Sequence, residues 1–359
     1  MSIYKRLFGV KNEVVKYAPT NREWTQYENF KDYFNWGGSN VNTTKFLQSF
    51  GNNPIVYTVI SKISETTAGM PTTTEEENDN SILLELINNP NSEQSGTEFK
   101  EQFLQSYLAT GNSLMLFEDN SEFTDLGVKH SIKVLRFDKA DARLTNNVFI
   151  GWDYTDEQGR RYFYPKENVL HFKSPNIVEC KNYTNGLSPL QAGWIVIQSS
   201  DEKFEASASI FKNRGASGIL TNKSDIPLLD DERERFQNSL DDNIKGADKF
   251  NKVHVSTTDL DYISLGMSPT DLKLLEGIVA DIRIISHLYH LPSVLVGDSE
   301  NSTYNNYSTA VEIAYEDVYL PLDRKYNEKI SAFLSEKLNI DEVLVTDLKL
   351  VTGAKATTD

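Results

Sequence analysis

Three times in this chain a side-chain cap is followed at once by proline, at Asn53-Pro54, Ser188-Pro189 and Ser268-Pro269. Asn or Ser at the N-cap accepts a hydrogen bond from the first free amides of a helix. Proline at the next position forfeits only an N–H that has no partner there. Three helix starts are therefore written into the chain. Behind Pro54, Val56, Ile60 and Ile63 recur on one face until Gly69-Met70-Pro71 ends the run. Behind Pro189 the pattern continues to about Asn213, roughly 35–40 Å at ~1.5 Å per residue. Leu190, Trp194, Ile197, Phe204, Ala208 and Phe211 mark its apolar stripe, Asp201, Glu202, Lys203 and Glu205 face elsewhere, and Gly215 stops it. Behind Pro269, Leu275, Ile278, Ile282, Ile285 and Tyr289 follow in alternating three- and four-residue steps, closing at Leu291-Pro292.

Residues 215–267, between the second and third of these helices, read as a small α/β insert. It has strands at Gly218–Leu220, Lys252–Ser256 and Leu260–Leu265 and a charged helix over Asp230–Asn243. Upstream, Thr72–Ser81 is polar and acidic and reads as a loop, followed by a short helix over Ile82–Asn88 and the turn Asn89-Pro90-Asn91. Ser95 and Glu98 form a capping-box pattern ahead of a helix over Phe99–Ala109, which Gly111 ends. Five short runs, Ser113–Glu118, Ser131–Phe137, Val148–Tyr154, Arg161–Tyr164 and Val169–Phe172, carry the aromatic and β-branched residues of strands. The simplest arrangement is one antiparallel meander on the preceding helices. Downstream, Gly297–Asn306 is polar and helix-breaking, and a last helix runs from near Ser308 to about Leu338 with Pro321 as a kink or join. The first fifty residues scatter Trp24, Tyr27, Phe30, Tyr33, Phe34 and Trp36 among polar ones, as in an arm or short docking helices. The fold class is α+β.

A chain of 359 residues exceeds what one compact core serves, so two or more modules are expected. The net charge of −16 opposes tight non-specific binding to nucleic acid, which needs clustered Lys and Arg to neutralise phosphates. The single cysteine, Cys180, excludes an intrachain disulfide and a multi-cysteine zinc site. No apolar run approaches membrane-spanning length, and the start lacks a secretory core and cleavage site, so cytoplasmic synthesis is expected.

Convergent catalytic groups are hard to find. His287 and His290 stand three apart without the acid of a His-Glu-x-x-His helix. His171 sits in an apolar strand, as a satisfied sheet histidine does, and nothing beside Cys180 in sequence activates it. Phosphate-loop and dinucleotide glycine patterns are missing, and Gly215-Ala-Ser-Gly218 follows a helix instead of a strand. No catalytic residue, metal ligand or cofactor is therefore expected.

A set of short phrases remains. They are Asn53 through Ser64 with Met70-Pro71, Leu86-Ile-Asn-Asn-Pro-Asn91, Leu108-Ala-Thr-Gly-Asn-Ser113, Asn168-Val-Leu-His-Phe172 and Asn185-Gly-Leu-Ser-Pro-Leu190. Phe211-Lys-Asn-Arg-Gly-Ala-Ser-Gly-Ile-Leu220, Leu291-Pro-Ser-Val-Leu-Val-Gly297 and Ser302-Thr-Tyr-Asn-Asn306 complete them. In this order they resemble the portal (head–tail connector) family of tailed bacteriophages over almost the whole chain. The resemblance implies a portal-like α+β fold. Residues 1–187 would be the wing, 188–214 and 268–290 two stem helices, 215–267 the clip, and 291–306 the tunnel loop. Residues 307–345 would be a C-terminal wing helix and 346–359 a tail with the helical crown absent or minimal. It also implies a homo-oligomeric ring of about a dozen copies at one capsid vertex, closed by two different sticky faces per subunit. Double-stranded DNA would pass through that ring. Its partners would be the terminase large subunit, then a head-completion or adaptor protein, with the major capsid and scaffold proteins around it. The portal would be assembled in the bacterial cytoplasm and carried in the virion, with no membrane partner.

Site expectations follow. Trp194, Ile197, Phe204, Phe211, Leu275, Ile278, Ile282 and Ile285 pack the stem. Asp298, Ser299, Glu300, Asn301, Ser302, Thr303, Tyr304, Asn305 and Asn306 form the tunnel loop, with Asp298 and Glu300 as acids lining the bore. Glu232, Arg233, Glu234 and Arg235 mark the clip surface on which the motor and completion proteins would dock. At −16 per copy such a ring carries about −190, a field that keeps DNA sliding instead of binding. Two other readings stay open: another phage neck or tail ring protein, and a hydrolase using His171 or the His287/His290 pair.

Overall fold

The computed structural model describes residues 43–78, 80–119, 130–146, 148–177, 185–213, 218–222, 260–264, 273–298 and 304–350, all within the unit Asn42–Asp359. In it the three capped starts resolve differently. Helix α1 (Thr43–Asn52) leads into α2 (Pro54–Ala68), and Asn53 Oδ1 accepts from the amides of Ile55 at 2.9 Å and Val56 at 3.1 Å. Val56, Ile60 and Ile63 are fully buried, as their spacing predicts, and Val59 is buried with them.

The second start yields only α5 (Pro189–Ala192) before the chain breaks at Gly193 and resumes as α6 (Trp194–Asn213), so the single helix expected over 188–214 is interrupted. Gly193 also lies at a close helix–helix approach. A Cβ on Gly193 would lie 2.1 Å from Leu288 Cδ1, on α7 (Leu274–Leu288). The third start corrects the expectation as well. The Ser268-Pro269 cap falls outside the described residues, and α7 begins at Leu274, behind Lys273 in a left-handed conformation with φ 48°.

Thr72–Thr74, expected in a loop, is a strand (β1) pairing antiparallel with β10 (Leu344–Thr346), which the expected boundary between wing helix and tail had divided. Helices α3 (Ile82–Asn88) and α4 (Gly96–Thr110) follow as expected, with the Ser95–Glu98 capping box formed and Gly111 at φ 74°. No side chain fits at Gly111: a Cβ there would meet the Leu187 carbonyl at 2.6 Å.

The strands form two sheets and not one meander. β2 (Asn112–Asp119) lies between β3 (His130–Leu135) and β7 (Val169–Lys173), and β4 (Ala140–Thr145), β5 (Val148–Thr155) and β6 (Arg161–Pro165) form the second sheet in that order. β2 is buried on both faces. Met115 and Phe117 join a core with Leu83, Phe99, Phe103 and Tyr326, while Leu114 and Leu116 join Trp152, Phe137 and Val169 in a second core. That explains its unbroken apolar run, where alternation would mark a half-exposed strand. β8 (Gly218–Asn222) and β9 (Leu260–Ser264) form a separate antiparallel pair.

The last helix starts at Tyr304, earlier than expected. It comprises α8 (Tyr304–Ala314), a π turn (Tyr315–Tyr319) and α9 (Leu320–Leu338), so Pro321 does mark a join. Proline offers no N–H to the carbonyl of Asp317, and Leu320 N–H instead reaches back to Tyr315 O across the wider turn.

α9 is tied to α4 by a buried ion pair, Lys100 Nζ to Asp323 Oδ1 at 2.6 Å. Asp323 Oδ2 also accepts from Asn327 Nδ2 at 3.0 Å and from the Thr346 hydroxyl, and Ser331 Oγ accepts from Leu344 N–H at 2.8 Å. Burial pushes the Lys100 ammonium below its ordinary pKa, opposed by Asp323. Substituting Lys100→Met strands a buried carboxylate and should lower stability by about 3–5 kcal/mol in chemical denaturation. Adding Asp323→Leu should recover much of that loss, because no unpaired charge then remains.

Candidate channel and assembly site

The two expected stem helices meet face to face. Ile197 on α6 and Ile285 on α7 are fully buried in one core, and Trp194, Phe204, Ile278 and Ile282 pack against it. Phe46 of α1 meets Trp194 edge-on, ring centres 5.6 Å apart. Phe211 and Leu275 lie on α6 and α7, with side chains outside the described set, and Ala208 is exposed. Apart from Ala208, the described residues of the stripe thus pack in the subunit's own core. Among the described side chains of the pair, the large apolar residues exposed are Ile195 at 64% and Ile284 at 45%, neither of which the stripe pattern selects.

Lys203 also departs from expectation. It crosses to α7, with Nζ 2.8 Å from both carboxylate oxygens of Asp281, which is 4% exposed. Gly277 leaves room for the lysine stem: a Cβ there would stand 3.4 Å from Lys203 Cε. The pair is fastened to α2 by Asn53, whose Nδ2 donates to Ser200 Oγ at 2.6 Å and Asp201 Oδ1 at 2.8 Å. Burial raises the Asp201 carboxyl above its ordinary range, opposed by the Asn53 bond and reinforced by Glu205.

Past α7, Ser293–Val296 forms a short turn and Gly297 takes φ 104°. Asp298 does not line a bore: it is 2% exposed, beneath a two-pronged contact from Arg283 (Nε to Oδ2 at 2.6 Å, Nη2 to Oδ1 at 2.9 Å). Ser293 Oγ donates to the same carboxylate at 2.9 Å. An acid that close to an arginine fork is an anchor for the loop base. Ser299, Glu300, Asn301, Ser302 and Thr303 lie outside the described residues, and Tyr304, Asn305 and Asn306 open α8, so the expected loop is shorter by those three positions.

Of the clip, the β8–β9 pair is described, in register from Gly218↔Ser264 to Asn222↔Leu260. The expected helix with Glu232, Arg233, Glu234 and Arg235, the strand Lys252–Ser256, Cys180 and the aromatic arm lie outside the described residues.

His171 is a structural histidine, as its strand context suggests. Its ring stacks on Phe137, meets Trp152 edge-on and places Nε2 3.0 Å from Asn112 Oδ1, which also accepts from Gly186 N–H at 2.7 Å. Burial, helped by the Lys173 cation, pushes its pKa down to about 3. His287 and His290 are both exposed, and among the described residues no group of three or more His, Cys, Asp or Glu could hold a metal. No helix among them is long and apolar enough to cross a membrane.

Among the described residues, two helices are joined by an ion pair and the base of the following loop is held to one of them by Arg283 and Asp298. A family model described as phage portal protein matches residues 54–353. The chain belongs to the phage portal protein family. It is 22% identical over 281 residues to the portal protein of Enterobacteria phage HK97, covering 74% of this chain and 62% of that one. An uncharacterized protein of Rickettsia bellii is 24% identical over 311 residues, covering 82% of this chain and 78% of that one. Among solved structures, the neck of a native gene transfer agent (GTA) particle computed with C12 symmetry aligns with TM-score 0.66 and 24% identity, over 89% of this chain and 87% of that one.

A histidine held neutral by the fold, with its pKa depressed from 6.5 to about 3, contributes stability that is complete above pH 6.5 and declines as the pH falls toward 3. Urea unfolding at about pH 7.5 and about pH 5 should show a loss on the order of 2 kcal/mol that His171→Gln removes.

Proposed function

We propose that this chain is the repeating subunit of a ring through which double-stranded DNA enters and leaves a capsid at one vertex. The observation that carries the reading is the family match across residues 54–353. It is supported by a fold shared with a C12-symmetric particle neck, which favours a ring of about a dozen copies. In this reading α6 and α7 are the stem, residues 215–267 the clip, and the segment from Leu291 to Thr303 the tunnel loop. The sheets, α4 and α9 belong to the wing. The terminase large subunit docks on the clip during packaging and a head-completion or adaptor protein replaces it, so the protein resides in the virion with capsid proteins around it. Its role is structural and calls for no cofactor.

Because the stripe residues packed in the subunit's own core are not free for a neighbour, the exposed Ile195 and Ile284 are the stem's described candidates for contact with the neighbouring copies. Native mass spectrometry with negative-stain imaging should find closed rings of about a dozen subunits with an axial hole. Ile284→Asp should shift that population to monomer with an unchanged circular dichroism spectrum and a melting temperature lowered by no more than the lost association. A small dimer with a deep pocket would overturn the reading.

With Asp298 committed to Arg283, Glu300 is the loop acid left to repel DNA from the bore. Glu300→Lys should slow packaging in an in vitro assay while rings still form, since a cation adds affinity for passing phosphates. Undiminished packaging removes the acidic-lining idea and leaves the ring intact.

A further inference from the structure

Among the described residues, the sheet β4–β5–β6 ends on an edge strand without a partner. β6 pairs with β5 alone, in register from Gly151↔Pro165 to Thr155↔Arg161. At the hairpin end Asp156 N–H bonds Arg160 O at 2.9 Å. In an antiparallel ladder the directly bonded positions alternate, so on β6 they continue at Tyr162 and Tyr164. Arg161 and Phe163 therefore turn their N–H and C=O groups away from β5, toward an edge where no described residue meets them. Pro165 brings no N–H to that edge and so ends it.

The side chains along the edge are cationic and aromatic, in a chain whose net charge is −16. From Arg160 to Lys166 there are three cations and no acid. Arg160 is taken by Asp156, at 2.7 Å, whereas Arg161 and Lys166 are exposed and make no ion pair among the described residues. Phe163, 40% exposed, shares a face with Arg161, two places away. Arg143 reaches it across the sheet, with the guanidinium carbon 4.5 Å from the ring centre and Nε held by Asp153 at 2.7 Å. On the other face Tyr162 stacks on Tyr164, ring centres 6.2 Å apart.

Charge and a terminal proline guard a bare strand edge against indiscriminate pairing. Two copies of this edge would set cation against cation. A partner passes the guard only by bringing acids, and an extended peptide does the rest. Its main chain supplies the N–H and C=O that Arg161 and Phe163 lack, and its alternate side chains meet theirs. The five residues of β6 span roughly 16 Å at ~3.3 Å each, the length of a five-residue segment.

We propose that β6 is a docking edge for an extended acidic segment of another protein, added to this three-stranded sheet as a fourth strand. A carboxylate stands opposite Arg161, and an apolar residue two places along covers Phe163. The inference stands apart from the ring reading and holds for a single subunit.

The probe is a fluorescein-labelled Asp-Thr-Val-Thr-Asp peptide, whose symmetric pattern suits either strand direction, read by polarisation against the full chain. It should bind saturably, and Lys-Thr-Val-Thr-Lys should bind at least ~ten-fold more weakly. Arg161→Glu, at an exposed position, should reverse that preference with an unchanged circular dichroism spectrum. Methylating the three central amide nitrogens of the acidic peptide should abolish binding, because the ladder then loses its donors. Equal binding of the two peptides overturns the proposal, as does binding that survives methylation or a preference that survives Arg161→Glu. A short DNA duplex that displaces the peptide would make this a phosphate-binding surface and overturn it too. Binding by the monomer that is lost in assembled rings would give the edge to a neighbouring copy and overturn a separate partner.

Discussion

The side chain of Asn53 is shared between two helices. Its oxygen caps α2, and its amide nitrogen holds Ser200 and Asp201 on α6. An amide oxygen and its nitrogen lie in one plane, so the start of α2 and the middle of α6 are set by a single rigid group. The α6–α7 pair inherits its placement from that group, because Lys203 and Asp281 then fix α7 against α6. Arg283, on the same α7, holds Asp298 and with it the base of the following loop. A chain of directed polar contacts thus runs from a helix cap to the loop through apolar packing that by itself is not directional.

A second set of such contacts lies where the sheet meets α5. Asn112 accepts from Gly186 N–H and faces His171, Ser188 Oγ donates to Ala109 O, and Ser174 N–H bonds Gly111 O. Gly186 stands so close that a Cβ would lie 2.1 Å from Gly111 O. Main chain packs on main chain here, which keeps the segment entering α5 in a fixed direction relative to the sheet.

What the sequence made legible was whatever depends on near neighbours. Caps at Asn53, Ser95 and Ser188, the left-handed stop at Gly111 and the join at Pro321 are local chemistry, and each is visible within four or five residues. β1 and β10 were hidden because three threonines carry no pattern and their partner strand lies far along the chain. The close approach at Gly193 involves Leu288, and the burial of Asp298 involves Arg283, neither of which is a neighbour in sequence. The stem stripe is legible as an apolar face, but periodicity cannot say whether the subunit's own core or another molecule covers it. Ile195 and Ile284 emerged only from their exposure, which the stripe does not report. The family came through in the order of its short phrases, several of which include a cap or close approach, as at Asn53, Gly111, Gly186 and Ser188.

The π turn at Tyr315–Tyr319 lets one helix address two cores. Ala314 and Val318 belong to the core around α2, α6 and α7, and Tyr326, Ile330 and Leu334 to the core under the first sheet. The buried positions run 310, 314, 318 and then 319, 323, 326, 327, 330, 331, 334, so the inward face advances by one place where the turn widens. One residue is about a hundred degrees of rotation around an α-helix. The turn therefore acts as a phase shifter between two otherwise rigid halves. Deleting a single residue there would bring the halves into one phase, and the helix would then satisfy one core only by turning its back on the other.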